Sequence, residues 1–244
     1  MTMLVTGIGW VTAAGLGRGR TDRAFAMPLG PLPRVRRAAI SEEPDPRFGR
    51  LDDYSRVGLA AVAFALKDAS LEGWTSRRDI GIVAASRYGC LATDLAYFDT
   101  VMPEGGWMAS PSLFAYTLPN SVLGEAALRF GLAGPTFVVT ERTSGGVAAL
   151  EMAWLSVTLG EADAMLAGIC DLPAPPPYCT LPAEPAGAVF LVCERTPRPG
   201  VPPYGEITLG ASGSLRLGGD AVRDLRELAA CLLRRRDADP ARQD

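Results

Sequence analysis

The stretch "VVTERTSGGVAALEMAW", Val138 to Trp154, decides the fold that the rest of the sequence must accommodate. A β-branched run ends at the charged pair Glu141-Arg142, a turn of small residues follows, and an apolar segment continues to Gly160. That segment has Glu151 as its one charge, which is typical of a helix buried on most sides. A strand, a tight turn and a buried helix N-terminus form a geometry that enzymes use to hold a nucleophile.

Short apolar segments that read as strands alternate with helical patterns along the chain. The predicted strands are Met3 to Gly9, Asp79 to Ser86, "TFVVT" from Thr136, "DAMLAGICD" from Asp163, "AGAVFLVCE" from Ala186 and "YGEITLGAS" from Tyr204. The predicted helices are Leu51 to Leu71, Leu91 to Met102, two short ones on either side of Pro119, Ser144 to Gly160, and Asp220 to Arg236. This order predicts an α/β fold with a mixed, mainly parallel central sheet, a buried central helix and covering helices.

The composition describes an ordinary globular protein of 244 residues, 48% hydrophobic and 21% charged, with a formal net charge of −3. A balance so close to neutral gives no support to nucleic-acid binding, which usually needs a basic face. No apolar run is long enough to span a membrane, and the N-terminus lacks the pattern of a secretory signal. We therefore expect a cytoplasmic protein.

Histidine is absent from the sequence, which excludes every mechanism that needs an imidazole from this chain. The five cysteines are scattered without a C-x-x-C spacing, so neither a zinc site nor a disulfide framework is predicted, and no cofactor is expected. Cys90 follows a strand end and is the most site-like thiol, although a loop or core thiol is the favoured interpretation.

Taken together, the order and the motifs resemble the N-terminal half of a β-ketoacyl-acyl-carrier-protein synthase of the thiolase fold. "LVTGIGWVTAAGLG" is similar to the opening strand of that family, "RTSGGVAALEMAW" to its nucleophile turn and central helix, and "DAMLAGICD" and "GAVFLVCE" to the next two strands. The resemblance covers residues 3–195. It implies a ketosynthase-like domain over residues 1–203, a short strand-and-helix extension over 204–236 and a disordered tail over 237–244.

The resemblance also implies a cysteine nucleophile at a position that here is Arg142, while Thr143, Ser144 and Gly145 match the residues that follow it. The histidines and the lysine of the family lie in a C-terminal half of which this chain resembles only the beginning, Tyr204 to Arg236. A guanidinium stays protonated and is a poor nucleophile. We therefore expect a vestigial turn with no catalytic residue, in a truncated ketosynthase-like protein.

Three interpretations of Arg142 stay open. It is a drifted residue at a dead site, or it fills the acyl pocket and pairs with Glu141 or another carboxylate, or it contacts a phosphopantetheine phosphate or the acidic surface of a partner. A cation is disfavoured at a helix N-terminus, and an unpaired buried arginine is costly. We therefore predict a carboxylate, an anion or water beside the guanidinium.

The resemblance implies a partner as well, because in the thiolase fold the strand before the nucleophile turn pairs with its twofold mate. The predicted interface is Thr136, Phe137, Val138, Val139 and Thr140. An exposed edge of such composition invites pairing. We expect a homodimer or a heterodimer with a complete ketosynthase, and possible binding of an acyl carrier protein.

Three functions fit these observations. The preferred one is an inactive partner or scaffold, similar to a chain-length factor, in fatty-acid or polyketide synthesis. The second is an acyltransferase that uses a non-family nucleophile, with Ser144 or Cys90 as the candidates. The third is a dimeric module that binds an acyl carrier protein or acyl-CoA.

Overall fold

The computed structural model describes residues 2–21, 25–141, 145–173, 175–176, 178, 184–211 and 213–238. Within these residues one sheet contains the strands β1 (Thr2–Thr12), β2 (Gly15–Arg18), β3 (Ile80–Ser86), β4 (Thr136–Thr140), β5 (Ala164–Asp171), β6 (Gly187–Glu194), β7 (Gly205–Leu209), β8 (Leu215–Leu217) and β9 (Asp220–Ala221). The helices are α1 (Arg37–Ile40), α2 (Asp53–Asp68), α3 (Leu91–Val101), α4 (Pro111–Phe114), α5 (Ser121–Phe130), α6 (Val147–Leu159) and α7 (Leu225–Asp237).

The strands lie in the order β4-β3-β5-β6-β1-β7-β8-β9, with β2 paired to β1 as a hairpin. The β4-β3 and β3-β5 pairs are parallel, whereas β6 runs antiparallel to both β5 and β1. Four of the five central strands therefore share one direction, and β6 is the reversed one. This confirms the predicted α/β fold with its mixed, mainly parallel central sheet.

Helices cover both faces of the sheet. The core on one face contains α2 and α5, and the core on the other contains α6 and α7. The strand β3 serves both, because Ile82 belongs to the first core and Val83 to the second. The central helix α6 buries its inner face, but Leu155 and Leu159 remain 41% and 66% exposed on the outside. The helix is therefore buried on one side and open on the other.

The strand β1 and the helix α2 approach each other at backbone distance. A Cβ added to Gly9 would overlap the backbone of Ala61 and Ala65 in α2. Only glycine leaves room for this approach, which allows a central strand to lie directly beneath the helix. The glycines of the opening motif are thus required by packing.

The extension after residue 203 continues the same sheet, since β7 pairs with β1. The predicted helix start at Asp220 is wrong by five residues, because Asp220 belongs to a hairpin in which Leu217 and Asp220 flank a two-glycine turn. The helix α7 begins only after Asp224, whose carboxylate accepts hydrogen bonds from the backbone N–H groups of Arg226 and Glu227. Residues 239–244, most of the predicted tail, lie outside the described residues.

A buried polar contact joins this extension to the rest of the fold. The carboxylate of Asp68, at the end of α2, accepts a hydrogen bond of 2.8 Å from the Ile8 N–H and one of 2.7 Å from the Tyr204 hydroxyl. Asp68 is 1% exposed, and burial raises the pKa of its carboxyl. In the described part of the chain, no helix is long and apolar enough to cross a membrane.

Candidate functional site

The carboxyl ends of β3, β4 and β5 meet at one edge of the sheet, beside the N-terminus of α6. Parallel strands bring the residues at their ends together, and such an edge is the usual position of a site in an α/β protein. The described residues form a cleft of about 40 Å³ there, which has room for a few water molecules. Its polar lining consists of Ser86, Arg87, Glu141, Asp171, Glu184 and Arg226.

Glu141 binds the N-terminus of α6. Its carboxylate accepts hydrogen bonds of 2.8 Å from the backbone N–H groups of Gly146 and Ala148. These N–H groups have no partner within the helix, and the helix dipole favours an anion beside them. The chain therefore supplies its own anion at the position where the sequence predicts a nucleophile turn.

Replacing Glu141 with alanine should lower the free energy of unfolding by about 1–2 kcal/mol, because two N–H groups of α6 lose a charged acceptor. Urea denaturation followed by circular dichroism would measure the loss. Glu151→Ala is the matched control, since Glu151 is exposed in the middle of the same helix and its loss should cost less than about 0.5 kcal/mol. Equal losses in the two variants would contradict the capping role.

Asp171 organises the residues after β3. Its Oδ1 accepts hydrogen bonds from the Ser86 hydroxyl at 2.7 Å, the Arg87 N–H at 2.8 Å and the Tyr88 N–H at 3.1 Å. Burial raises the pKa of the Asp171 carboxyl, and these hydrogen bonds offset part of the rise. The Ser86 oxygen also accepts a hydrogen bond from the Gly89 N–H at 2.7 Å. The hydroxyl of Ser86 is thus engaged in holding the backbone of this turn.

The helix α7 closes one side of the cleft with charged side chains. Arg226 contacts Asp224 on its own helix at 3.0 Å, a hydrogen bond that raises the pKa of Arg226, and it lies 3.7 Å from Glu184. Glu184 also pairs with Arg87 at 2.6 Å. These contacts form an ion-paired wall between the strand ends and α7.

The start of α7 also holds the turn before α6. The Leu225 N–H donates a hydrogen bond of 2.8 Å to the Gly145 carbonyl. Gly145 has φ 60°, and a Cβ there would overlap the Asp224 carboxylate. Glycine is therefore required at this position both for its backbone angle and for the space beside it.

Residues 38–181 match the sequence profile described as "Beta-ketoacyl synthase, N-terminal domain". The chain belongs to the β-ketoacyl synthase family. It is 30% identical over 201 residues to a "Putative polyketide beta-ketoacyl synthase 1" of Streptomyces halstedii, a match that covers 71% of this chain and 47% of that protein. A protein of the same description from Streptomyces virginiae is 30% identical over 207 residues, which cover 73% of this chain and 48% of that protein. The chain thus spans about half the length of these curated relatives.

Solved structures support the fold of this β-ketoacyl synthase family member. "The ishigamide ketosynthase/chain length factor" matches with a TM-score of 0.64 at 22% identity, covering 85% of this chain and 66% of that one. A type II acyl-carrier protein in complex with its ketosynthase bound to the hexaketide gives a TM-score of 0.65 at 19% identity, covering 85% and 68%. The sequence-based assignment to the family and to its fold is confirmed.

The predicted vestigial turn of the family is described only in part. Gly145 lies at the edge of the cleft, whereas Arg142, Thr143 and Ser144 lie outside the described residues. The predicted neighbours of the Arg142 guanidinium therefore stay a prediction. The described part of the turn already differs from a simple oxyanion hole, because Glu141 occupies the N–H groups of Gly146 and Ala148.

Cys90, the alternative nucleophile, is a core thiol. It is 3% exposed, and its Sγ lies 3.6 Å from both carboxylate oxygens of Asp94. Burial, and then the charge of Asp94, raise the pKa of Cys90 to about 12. A thiol that stays protonated at neutral pH is a weak nucleophile. Over the described residues, no group of three or more histidine, cysteine, aspartate or glutamate side chains is placed to hold a metal ion.

The predicted interface strand, β4, lies at the edge of the sheet. The Ile82 N–H donates to the Pro135 carbonyl and the Glu141 N–H donates to the Ser86 carbonyl, so odd-numbered residues of β4 face β3. In a parallel ladder the alternate residues face away, which directs the backbone groups of Val138 to the open edge. Among the described strands none pairs with that edge. The pairing with a second subunit stays a prediction.

Four residues of the cleft were not singled out from the sequence as site residues. Ser86 and Asp171 each end an apolar strand, and this polar ending is the signal that could have found them. Glu184 and Arg226 come from a loop and from α7. They reach the cleft only through tertiary packing, for which the sequence carries no local signal.

Proposed function

We propose that this chain is a catalytically inactive, ketosynthase-like subunit that acts as a partner or scaffold, in the manner of a chain-length factor, in polyketide or fatty-acid-type acyl-chain synthesis. The observation that carries the proposal is the carboxylate of Glu141 on the N-terminus of α6. A helix N-terminus stabilises a thiolate or an oxyanion, and a resident carboxylate competes with both. Arg142 at the family's cysteine position and the absence of histidine from the sequence point the same way.

The proposed partner is a complete ketosynthase, bound along the open edge of β4, with a second copy of this chain as the alternative. The similarity to a solved ketosynthase/chain length factor supports a subunit role of this kind. The acyl carrier protein of the pathway is a further proposed partner, supported by the similar ketosynthase that was solved with its own.

The test begins with the unmodified chain incubated with acyl-CoA and acyl-carrier-protein thioesters and followed by intact-mass spectrometry. We expect no acyl adduct, because Cys90 is buried and protonated and the Ser86 hydroxyl is engaged. A stoichiometric adduct that maps to one residue would overturn the proposal and favour the acyltransferase. Co-migration with a purified ketosynthase on size exclusion, without an adduct, supports the partner role.

A pair of variants tests the inhibitory carboxylate directly. Arg142→Cys restores a thiol at the family position, but Glu141 should keep its pKa high by like-charge repulsion and by occupying the helix N-terminus. Removing the carboxylate in Glu141→Ala/Arg142→Cys should raise the rate of alkylation by iodoacetamide at position 142 at least tenfold at pH 7. Equal rates in the two variants would contradict the proposed role of Glu141.

A further inference from the structure

Residues 91–118 carry a dense group of exposed apolar side chains. Six large ones are between 54% and 87% exposed, and we call them the apolar patch: Phe98, Met102, Trp107, Met108, Phe114 and Leu118. Single exposed apolar residues are common, but a group of this size within one segment marks an interaction site. The patch lies outside the cleft described above.

The apolar patch is held in place by the fold. Phe98 and Met102 are one turn apart at the end of α3, so they share a face of that helix. The rings of Tyr97 and Phe114 lie 5.4 Å apart and join α3 to α4. Below them Cys90 and Tyr116 belong to the core that also contains α2 and α5. These contacts present the patch on a packed platform.

The size of the apolar patch selects a macromolecule. Six side chains of this kind, about two-thirds exposed, present on the order of 800 Å². That area exceeds the largest apolar patch of a typical monomer and equals one side of a standard protein–protein interface. A small ligand would cover only a fraction of it.

The charges around the apolar patch select the chemistry of the partner. Residues 88–128 contain four acidic residues and no basic one, and Asp99 is exposed on α3 directly after Phe98. Two copies that met through this patch would bring like charges together, and an anionic lipid surface would be repelled as well. We propose that the apolar patch docks a partner polypeptide whose contact face is apolar and flanked by arginine or lysine. This inference goes beyond the proposed function and does not require the pairing of β4.

Two synthetic helical peptides with the same apolar stripe test the proposal, one flanked by lysine and arginine and the other by glutamate. Binding of the labelled peptides to the full chain would be followed by fluorescence anisotropy, and the emission of Trp107, which is 87% exposed, should shift to shorter wavelength. The basic peptide should bind at least tenfold more tightly than the acidic one. Asp99→Lys should narrow that ratio severalfold, and added salt should do the same.

A double variant locates the binding surface. Met102→Asp/Trp107→Asp should weaken the basic peptide at least tenfold, and an unchanged melting curve would show that the fold is intact, because both side chains are exposed. Leu159→Asp, on α6 at the opposite face of the sheet, is the matched control and should bind normally. Failure of both peptides to bind, or equal binding of both, overturns the proposal. Self-association that buries Trp107 would assign the patch to a second copy, and binding to phosphatidylcholine vesicles would assign it to lipid, and either result also overturns it.

Discussion

Replacing Val138 with proline should weaken subunit association through β4 at least 100-fold, about 2.7 kcal/mol, while the monomer stays folded. The Val138 N–H faces the open edge of the sheet, so its loss removes a hydrogen bond that a neighbouring strand would use. Proline is tolerated at such an edge position, where no bond to β3 is lost. Sedimentation velocity over a range of protein concentrations would measure the change.

Two further substitutions in β4 control for side-chain effects. Val138→Ala keeps the outward N–H and should associate with nearly unchanged affinity. Val139→Pro should unfold the edge of the sheet, because the backbone of Val139 faces β3. If Val138→Pro formed dimers as strongly as the unmodified chain, the assignment of the interface to β4 would be wrong.

Adding a single methyl group at Gly9 should lower the free energy of unfolding by about 3 kcal/mol or more and the melting temperature by roughly 10 °C. In Gly9→Ala the Cβ would overlap the backbone of Ala61 and Ala65, so β1 and α2 must separate. A backbone cannot move aside as a flexible side chain can, and β1 lies in the middle of the sheet. Differential scanning calorimetry would measure the loss.

Gly124→Ala provides the comparison, since it makes the same chemical change in an open environment. Gly124 lies in α5, and an added Cβ there has no neighbour within 4 Å. Alanine favours the helix, so this variant should gain about 0.5–1 kcal/mol. If the two variants were equally stable, close contact between β1 and α2 could not be the reason for glycine at position 9.

The fold was largely accessible from the sequence because its strands are short, apolar and separated by clear helical patterns. α3 begins and ends within one residue of its predicted bounds, and α5 ends at Gly131, whose φ of 64° suits the predicted helix end. The start of α7 was missed because a leucine-rich hairpin with a Gly-Gly turn directly precedes the helix. Local apolar spacing does not distinguish these two structures over so few residues.

The candidate site was less accessible, because its character depends on contacts between distant residues. The turn from Glu141 to Gly145 could be found from residue types alone, but the direction of the Glu141 carboxylate could not. That carboxylate belongs to the α6 N-terminus only once the turn has formed, and Arg226 reaches the cleft only once α7 has packed. Tertiary packing, rather than any local pattern, thus fills this site with ion pairs.

The central position of β1 in the sheet has a consequence for synthesis of the protein on the ribosome. The strand emerges first, yet it pairs with β6, where Gly187 lies opposite Thr12, and with β7. At typical elongation rates of about 5–20 residues per second, β1 waits on the order of 10–35 s for its neighbours. During that interval its hairpin with β2 is the one pairing that the nascent chain can offer among the described strands. The yield of folded protein in the cell should therefore depend on chaperones that shield an apolar N-terminal strand.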